Sequence, residues 1–251
     1  MAENILEIKD VKKDFGEKGV LDGITTSVKS GEVVVILGPS GCGKSTLLRC
    51  INGLEKIQSG SILLDGDPVV SDEPSITAIR QRVGMVFQNY ELFPHLNVID
   101  NITLAPCKVQ KRAKSEARKE AMELLDRVGL SDKKKSYPRE LSGGQKQRVA
   151  IVRSLIMHPE ILLFDEVTAA LDPEMVREVL DVMLSLASQG KTMLIVTHEM
   201  SFARAVADRI IFIDEGRIVE ESDPEVFFTA PKTTRAKQFL NTFLFEKRAA
   251  H

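Results

Sequence analysis

The sequence predicts an α/β fold with a parallel sheet, an antiparallel portion at the N-terminus and a helical insertion near residues 90–158. Three features predict it. Short β-type runs set off by Gly and Asp fill the N-terminal third, helical spacing takes over from about Asn97 to His158, and strands and helices then alternate.

In order, the β-type runs are ILEIKDV (5–11), ITTSV (24–28), VVVIL (Val33–Leu37), SILLD (Ser61–Asp65) and VGMVF, which ends at Phe87. VVVIL is apolar throughout, the pattern of a strand buried on both faces. A helix follows GPSGCGKST and stops at Gly53, a residue suited to the left-handed position past a helix end. Residues 111–128 carry Ala117, Ala121, Leu124 and Val128 at helical spacing, with Gly129 as the stop. ILLF (Ile161–Phe164), MLIVT (Met193–Thr197) and IIFID (Ile210–Asp214) read as strands. Between the first two, a helix from Pro173 to Gln189 has Asp172 at its N-cap position and Gly190 past its end. Its apolar stripe is Val176, Val179, Leu180, Met183 and Ala187. A further helix follows His198, DEGRIVE forms a hairpin around Gly216, and RAKQFLNTFLFEKRAAH suits a short amphipathic helix with a frayed end.

Bulk properties narrow the classes. A chain of 251 residues with 43% hydrophobic content can bury a full core, as one large domain or two modest ones. The net charge of −2 and only short basic runs, at 111–114 and 133–135, give no electrostatic footprint for nucleic acid. No apolar run approaches the about 20 residues of a membrane span, and the N-terminus has no signal-peptide pattern. The expectation is a chain that does not itself cross a membrane. Three cysteines, Cys42, Cys50 and Cys107, lack zinc-type or CxxC spacing and read as reduced thiols.

GPSGCGKS, Gly38 to Ser45, matches GxxxxGK(S/T) between a buried strand and a helix, the context that gives the pattern its meaning. Gly38, Gly41 and Gly43 permit tight backbone around phosphates, and successive N–H groups form an anion nest at the helix start. Lys44 adds a point charge for the β- and γ-phosphates of a bound nucleotide. The Ser45 hydroxyl can ligate Mg²⁺, and Thr46 can donate to the α-phosphate. Cys42 lies in that turn, where N–H dipoles lower a thiol pKa, although a small neutral filler is the favoured role. Asp165 and Glu166 end the strand ILLF, where a carboxylate is costly unless paired or metal-bound. Asp165 suits an outer Mg²⁺ ligand and Glu166 a group that orients or deprotonates water. A second anion-type helix start stands a hundred residues on: LSGGQKQR, Leu141 to Arg148.

These residues resemble the ATP-binding subunit of ABC transporters over nearly the whole chain. LSGGQ at 141–145 is similar to that family's signature letter for letter, and LDPE at 171–174 to its D-loop. Gln88 in VFQ matches the Q-loop, His198 in VTHE the switch histidine, and Phe15 the aromatic that stacks on adenine. The resemblance implies an ABC ATPase head: a P-loop NTPase core with an antiparallel β subdomain (1–87 and 159–251) and a helical subdomain at about 88–158. It implies catalytic roles for Glu166, His198, Gln88 and Lys44, and Mg²⁺ contacts from Ser45, Gln88 and Asp165. The nucleotide-binding set then comprises Phe15, Gly38, Pro39, Ser40, Gly41, Cys42, Gly43, Lys44, Ser45 and Thr46. Ser142, Gly143, Gly144 and Gln145 join it from the second subunit of a homodimer, and Asp172 is also part of the set. Two copies would pair head to tail on ATP, with Ser142 and the Gly144 N–H donating in trans to the γ-phosphate.

Departures from the family pattern are Val167 for Pro, Ala169 for Ser and Ser222 for Gly. None removes a phosphate, metal or water ligand. The runs around Gln88 and His198 look most like subunits that energise uptake of polar amino acids. That implies a peripheral subunit on the cytoplasmic face of the membrane, docked through Gln88–Pro106 on integral membrane permease subunits. An extracytoplasmic solute-binding protein would be an indirect partner, and nucleic acid no partner. The chain shows neither the spans of a fused exporter nor the length for an added regulatory domain. The alternatives are a cassette for another small solute, or a non-transport ABC ATPase acting on nucleic acid. Chromosome-maintenance ATPases, however, need a long coiled coil where only residues 89–140 separate Gln88 from Leu141. Ribosome-binding relatives carry two cassettes, and a non-hydrolysing regulatory module would lack a group like Glu166.

Overall fold

The computed structural model describes residues 3–16, 18–70 and 75–243. In chain order they form β1 (Asn4–Phe15), β2 (Lys18–Lys29), β3 (Val33–Leu37), α1 (Lys44–Ile51), β4 (Ser59–Leu64) and β5 (Asp67–Pro68). Next come α2 (Ser75–Arg82), β6 (Val83–Val86), α3 (Val98–Lys108), α4 (Lys114–Arg127), α5 (Gly143–Leu155), β7 (Ile161–Asp165), α6 (Pro173–Ser188) and β8 (Thr192–Val196). The last are α7 (Met200–Val206), β9 (Arg209–Asp214), β10 (Arg217–Ser222), α8 (Pro224–Thr229) and α9 (Thr234–Asn241). Two compact units result, one of Met1–Ser71 with Glu199–His251, the other of Asp72–His198.

In the first unit, β1 pairs antiparallel with both β2 and β4, and β4 with β5. Leu6, Ile8 and Val11 are buried from one face of β1, the signature of a half-covered strand. Both strands run longer than their apolar stretches, because the ladder carries polar residues such as Lys12 and Asp22 through shifts of register. β3 pairs parallel with β9, and all five of its residues are buried, as its unbroken apolar run requires. β9 and β10 form the expected hairpin, with Glu215 and Gly216 both at positive φ. Arg209 of β9 pairs with Glu32, just before β3, at 2.7 Å, and within the hairpin with Glu221 of β10. The amphipathic tail helix is α9, which buries Ala236, Phe239 and Leu240; the rest of that segment, 244–251, lies outside the described residues.

In the second unit, β6, β7 and β8 pair in parallel, β7 in the middle. Here α3, α4 and α5 pack around Ile102, Ala121, Leu125, Val149 and Val152, all 0% exposed. Each of the Ile, Leu and Val side chains contributes about 1.5–3 kcal/mol by leaving water. Asn97 starts α3 by accepting the Asp100 N–H at 2.9 Å.

Three sequence expectations are corrected. α4 begins at Lys114 rather than 111, because Lys111 sits at φ 57 and Arg112 turns away to donate to the Ile156 carbonyl at 3.1 Å. In α6 the third buried apolar residue is Leu186 rather than Ala187, since Leu186 shares a face with Val179 and Met183. α2, which the sequence reading left out, forms over Ser75–Arg82 and closes on β7's start by a two-pronged pair of Arg82 with Glu160, at 2.6 and 2.9 Å. Among the described residues no helix is long and apolar enough to cross a membrane.

Candidate functional site

β3 delivers the chain into the first glycine-rich turn, Gly38 to Gly43, and α1 leaves it. Gly38 is required by close approach: a Cβ there would stand 2.1 Å from the Ile213 carbonyl oxygen. Gly43 is required by conformation as well, with φ 104 and Val20 O 2.7 Å from the position of a Cβ. No side chain caps α1, and the start of a helix is where backbone N–H groups can serve an anion.

Lys44 opens this helix yet is only 4% exposed. Its ammonium donates to the carbonyls of Gly38 at 2.9 Å and Pro39 at 2.8 Å, which fold the side chain back over the turn. Cys42 is buried beside it, with Sγ 4.0 Å from Nζ. Burial pushes the thiol pKa up, and the nearby Lys44 charge offsets this only in part. The neutral filler reading is the one this environment supports. Pro39, Ser40 and Gly41 line the open side, and Ser45 and Thr46 are half-buried in the first turn of α1.

Phe15 ends β1 with its ring 48% exposed. Lys13 Nζ lies 4.5 Å from the ring centroid and is itself fixed by the Lys56 carbonyl at 2.9 Å and Glu55 at 3.1 Å. The ring is thus steadied on one side by a cation and open to a flat partner on the other.

In the second unit, Asp165 ends β7 and is 5% exposed. Glu166 follows at φ 48, an uncommon left-handed backbone for a residue with a side chain. Its N–H donates to the Val196 carbonyl at 3.0 Å, and that bond fixes the turn. The turn brings Glu166 Oε1 to 3.0 Å from Nε2 of His198, just past β8. A carboxylate and an imidazole are thereby held together at the ends of adjacent parallel strands. Val167 is 4% exposed, so the position where the family has Pro is filled here by an apolar side chain in the core.

Gln88 is exposed two residues after β6. The residue before it is anchored, since Gln147 of α5 donates to the Phe87 carbonyl at 3.2 Å. Arg153, also from α5, donates to the carbonyls of Tyr90, at 3.1 Å, and of Glu91.

The second glycine-rich start is built differently. Ser142 is the N-cap of α5; its hydroxyl accepts from the Gln145 N–H at 3.3 Å, while Gln145 Oε1 accepts from the Ser142 N–H at 3.1 Å. This reciprocal box uses the Ser142 oxygen as acceptor and leaves its proton to donate elsewhere. Gly143 lies between Leu171 and Tyr90, and a Cβ there would meet them at 2.8 and 3.0 Å. The Gly144 N–H donates to Met175 Sδ at 3.4 Å. Asp172 occupies the N-cap position of α6 but accepts no capping bond, and its side chain is exposed.

Sequence reasoning missed Tyr90, Leu171, Met175, Gln147 and Arg153. Leu171 lies inside LDPE and Gln147 inside LSGGQKQR, Tyr90 and Met175 stand beside recognised motifs, and Arg153 stands beside none. Nothing in residue type or spacing marked the contacts they make.

Comparison with known proteins follows the same lines. Residues 21–169 match the family model described as ABC transporter. The chain is 56% identical over 240 residues to the glutamate/aspartate import ATP-binding protein GltL of Escherichia coli (strain K12), covering 96% of this chain and 100% of that protein. It is also 56% identical over 234 residues to the glutamine transport ATP-binding protein GlnQ of Geobacillus stearothermophilus, covering 93% of this chain and 97% of that protein. Among solved structures, the dimeric post-hydrolysis state of the ATP-binding cassette MJ0796 bound to ADP and Pi superposes with a TM-score of 0.78 at 35% identity, over 87% of this chain and 98% of that one. With both glycine-rich starts in place and this likeness along almost its full length, the chain belongs to the ABC transporter family, among its ATP-binding subunits.

Proposed function

We propose that this chain is the ATP-hydrolysing subunit of an importer for polar amino acids. It works as a homodimer closed by ATP on the cytoplasmic face of the membrane, against integral permease subunits that an extracytoplasmic binding protein loads. The pairing of Glu166 with His198 at 3.0 Å carries the hydrolytic part of this reading. A carboxylate fixed by the backbone at Glu166 and steadied by an imidazole is suited to orient and deprotonate an attacking water. Relatives that share 56% identity and are named for glutamate/aspartate and for glutamine support the solute class. The same pair argues that the ATP-binding subunit does not itself choose between those solutes.

Each residue has a part. The amides after Gly43, with Lys44, hold the β- and γ-phosphates, Thr46 the α-phosphate, and Phe15 the adenine face. Gln88 is placed to meet the water and the membrane side at once, and the chain on either side of it is tied to α5, at Phe87 and at Tyr90. Ser142, Gly143 and Gly144 of one copy, with Gln145 as the brace and Asp172 nearby, complete the site of the other copy. Among the described residues no three of His, Cys, Asp and Glu gather as a cage for a cation. A hydroxyl from Ser45, a carboxylate from Asp165 and an amide oxygen from Gln88 instead suit Mg²⁺, which keeps waters and takes phosphate oxygens. When bound, Mg²⁺ would neutralise phosphate charge during transfer.

The test is turnover with capture. Glu166→Gln should abolish nearly all ATP hydrolysis and accumulate an ATP-bound dimer by size-exclusion chromatography with light scattering. Undiminished turnover in that variant would remove Glu166 from the mechanism. Copurification with permease subunits and labelled amino-acid uptake into vesicles test the transport half.

A further inference from the structure

The Gly144 amide, which the proposed function assigns to the γ-phosphate of a neighbouring copy, already has an acceptor. Its N–H points at Met175 Sδ, 3.4 Å away. The approach is close: a Cβ on Gly144 would lie 2.9 Å from Met175 Cβ and 3.5 Å from the sulfur. Only a glycine lets this thioether reach the backbone. The next amide, that of Gln145, is taken by the Ser142 hydroxyl at 3.3 Å.

The choice of acceptor matters physically. A buried amide left without any acceptor loses the hydration it had and gains nothing. A thioether is a weak acceptor, enough to relieve that cost but not to compete with an anion. A phosphate oxygen accepts charge-assisted bonds, about twice as strong as neutral ones. A thioether therefore sits between two poor choices: a bare amide, and a partner too strong to be displaced.

We propose that Met175 is a positioning residue for the signature turn. Its thioether holds the Gly144 amide until a phosphate oxygen replaces it, and so sets the ATP concentration at which two copies close. The proposal rests on the trans-acting role given to Gly144 above. It predicts opposite effects from two substitutions of similar size, which a residue serving only as packing would not produce. Removing the acceptor destabilises the open state alone and favours closure. Supplying a carbonyl acceptor stabilises the open state and opposes closure.

The experiment uses the full chain with Glu166→Gln, so that closure is read without turnover, and follows dimer formation against ATP concentration by light scattering. Adding Met175→Leu should lower the half-closing ATP concentration by about two- to tenfold, and adding Met175→Gln should raise it by a similar factor. Met175→Ile, another side chain with no acceptor, replaces the leucine variant should that one fail to fold. Midpoints that do not move, or that move in one direction for both chemistries, overturn the role of Met175 while leaving the trans site intact. No ATP-dependent dimer in the Glu166→Gln parent overturns the trans site and this proposal together.

Discussion

The helix starts at Gly43 and at Ser142 meet the same problem, first-turn amides with no intrahelical acceptor, in opposite ways. At Gly43 nothing caps the helix, and a buried lysine supplies a full positive charge over the turn. At Ser142 a capping box and a thioether satisfy three amides from within, those of Ser142, Gln145 and Gly144, and no cation stands in LSGGQ before Lys146. The first start is thus arranged, in the proposed function, to grip an anion on its own. In the proposed function the second, whose Gly144 and Gln145 amides have acceptors of their own, acts on a ligand delivered by another copy. The difference teaches that a glycine-rich helix start is defined less by its glycines than by what competes for its amides.

The largest effect that bears on this contrast comes from removing the chemistry downstream of both starts. Glu166→Gln should lower steady-state ATP hydrolysis by about 10²–10⁴-fold, measured by phosphate release. Next, Lys44→Ala should weaken ATP binding to the first start by about 10- to 100-fold by calorimetry, the worth of a charge-assisted bond. Equal affinity would place the grip elsewhere and dissolve the comparison. Gly144→Ala should cost about 1–3 kcal/mol in denaturant unfolding, because its methyl group must displace Met175. Ser142→Ala should cost about 1 kcal/mol through the lost cap, with ATP affinity of the isolated subunit retained. The smallest effect concerns Cys42. Burial holds its thiol pKa above the usual value, so alkylation should be slow at neutral pH and speed up as pH rises, with ATP protecting it. Fast modification at pH 7 would contradict the buried neutral filler.

Much of this was legible in the sequence because local chemistry dictated it. VVVIL has the unbroken apolar run of an interior strand, and Gly38 to Ser45 needed just that strand before it and a helix after it. Gly53, Gly129 and Gly190 all mark helix ends at positive φ, as their places after apolar periodicity required. The pairing of Glu166 with His198 was foreshadowed only as two motifs; their contact is a product of neighbouring parallel strands, β7 and β8. What stayed hidden depended on tertiary meetings. Met175 reaches Gly144 across 31 positions of chain, and Arg153 reaches Tyr90 across 63, with no periodicity linking either pair. α2 is not legible in SITAIRQR, because that stretch buries only Ile76 and Ile79 and so shows too short an apolar stripe.

Mixing two crippled proteins tests the division of labour between the helix starts most directly. Lys44→Ala and Ser142→Ala subunits are each expected to be inactive alone. In a mixed dimer, one site combines an intact Lys44 with an intact Ser142 from the other copy. Phosphate release should return when the two are combined, toward the level of one working site per mixed dimer. If mixed dimers form, as shown by differently tagged subunits, and hydrolysis stays at the level of the separate mutants, the second start does not serve its neighbour's phosphate.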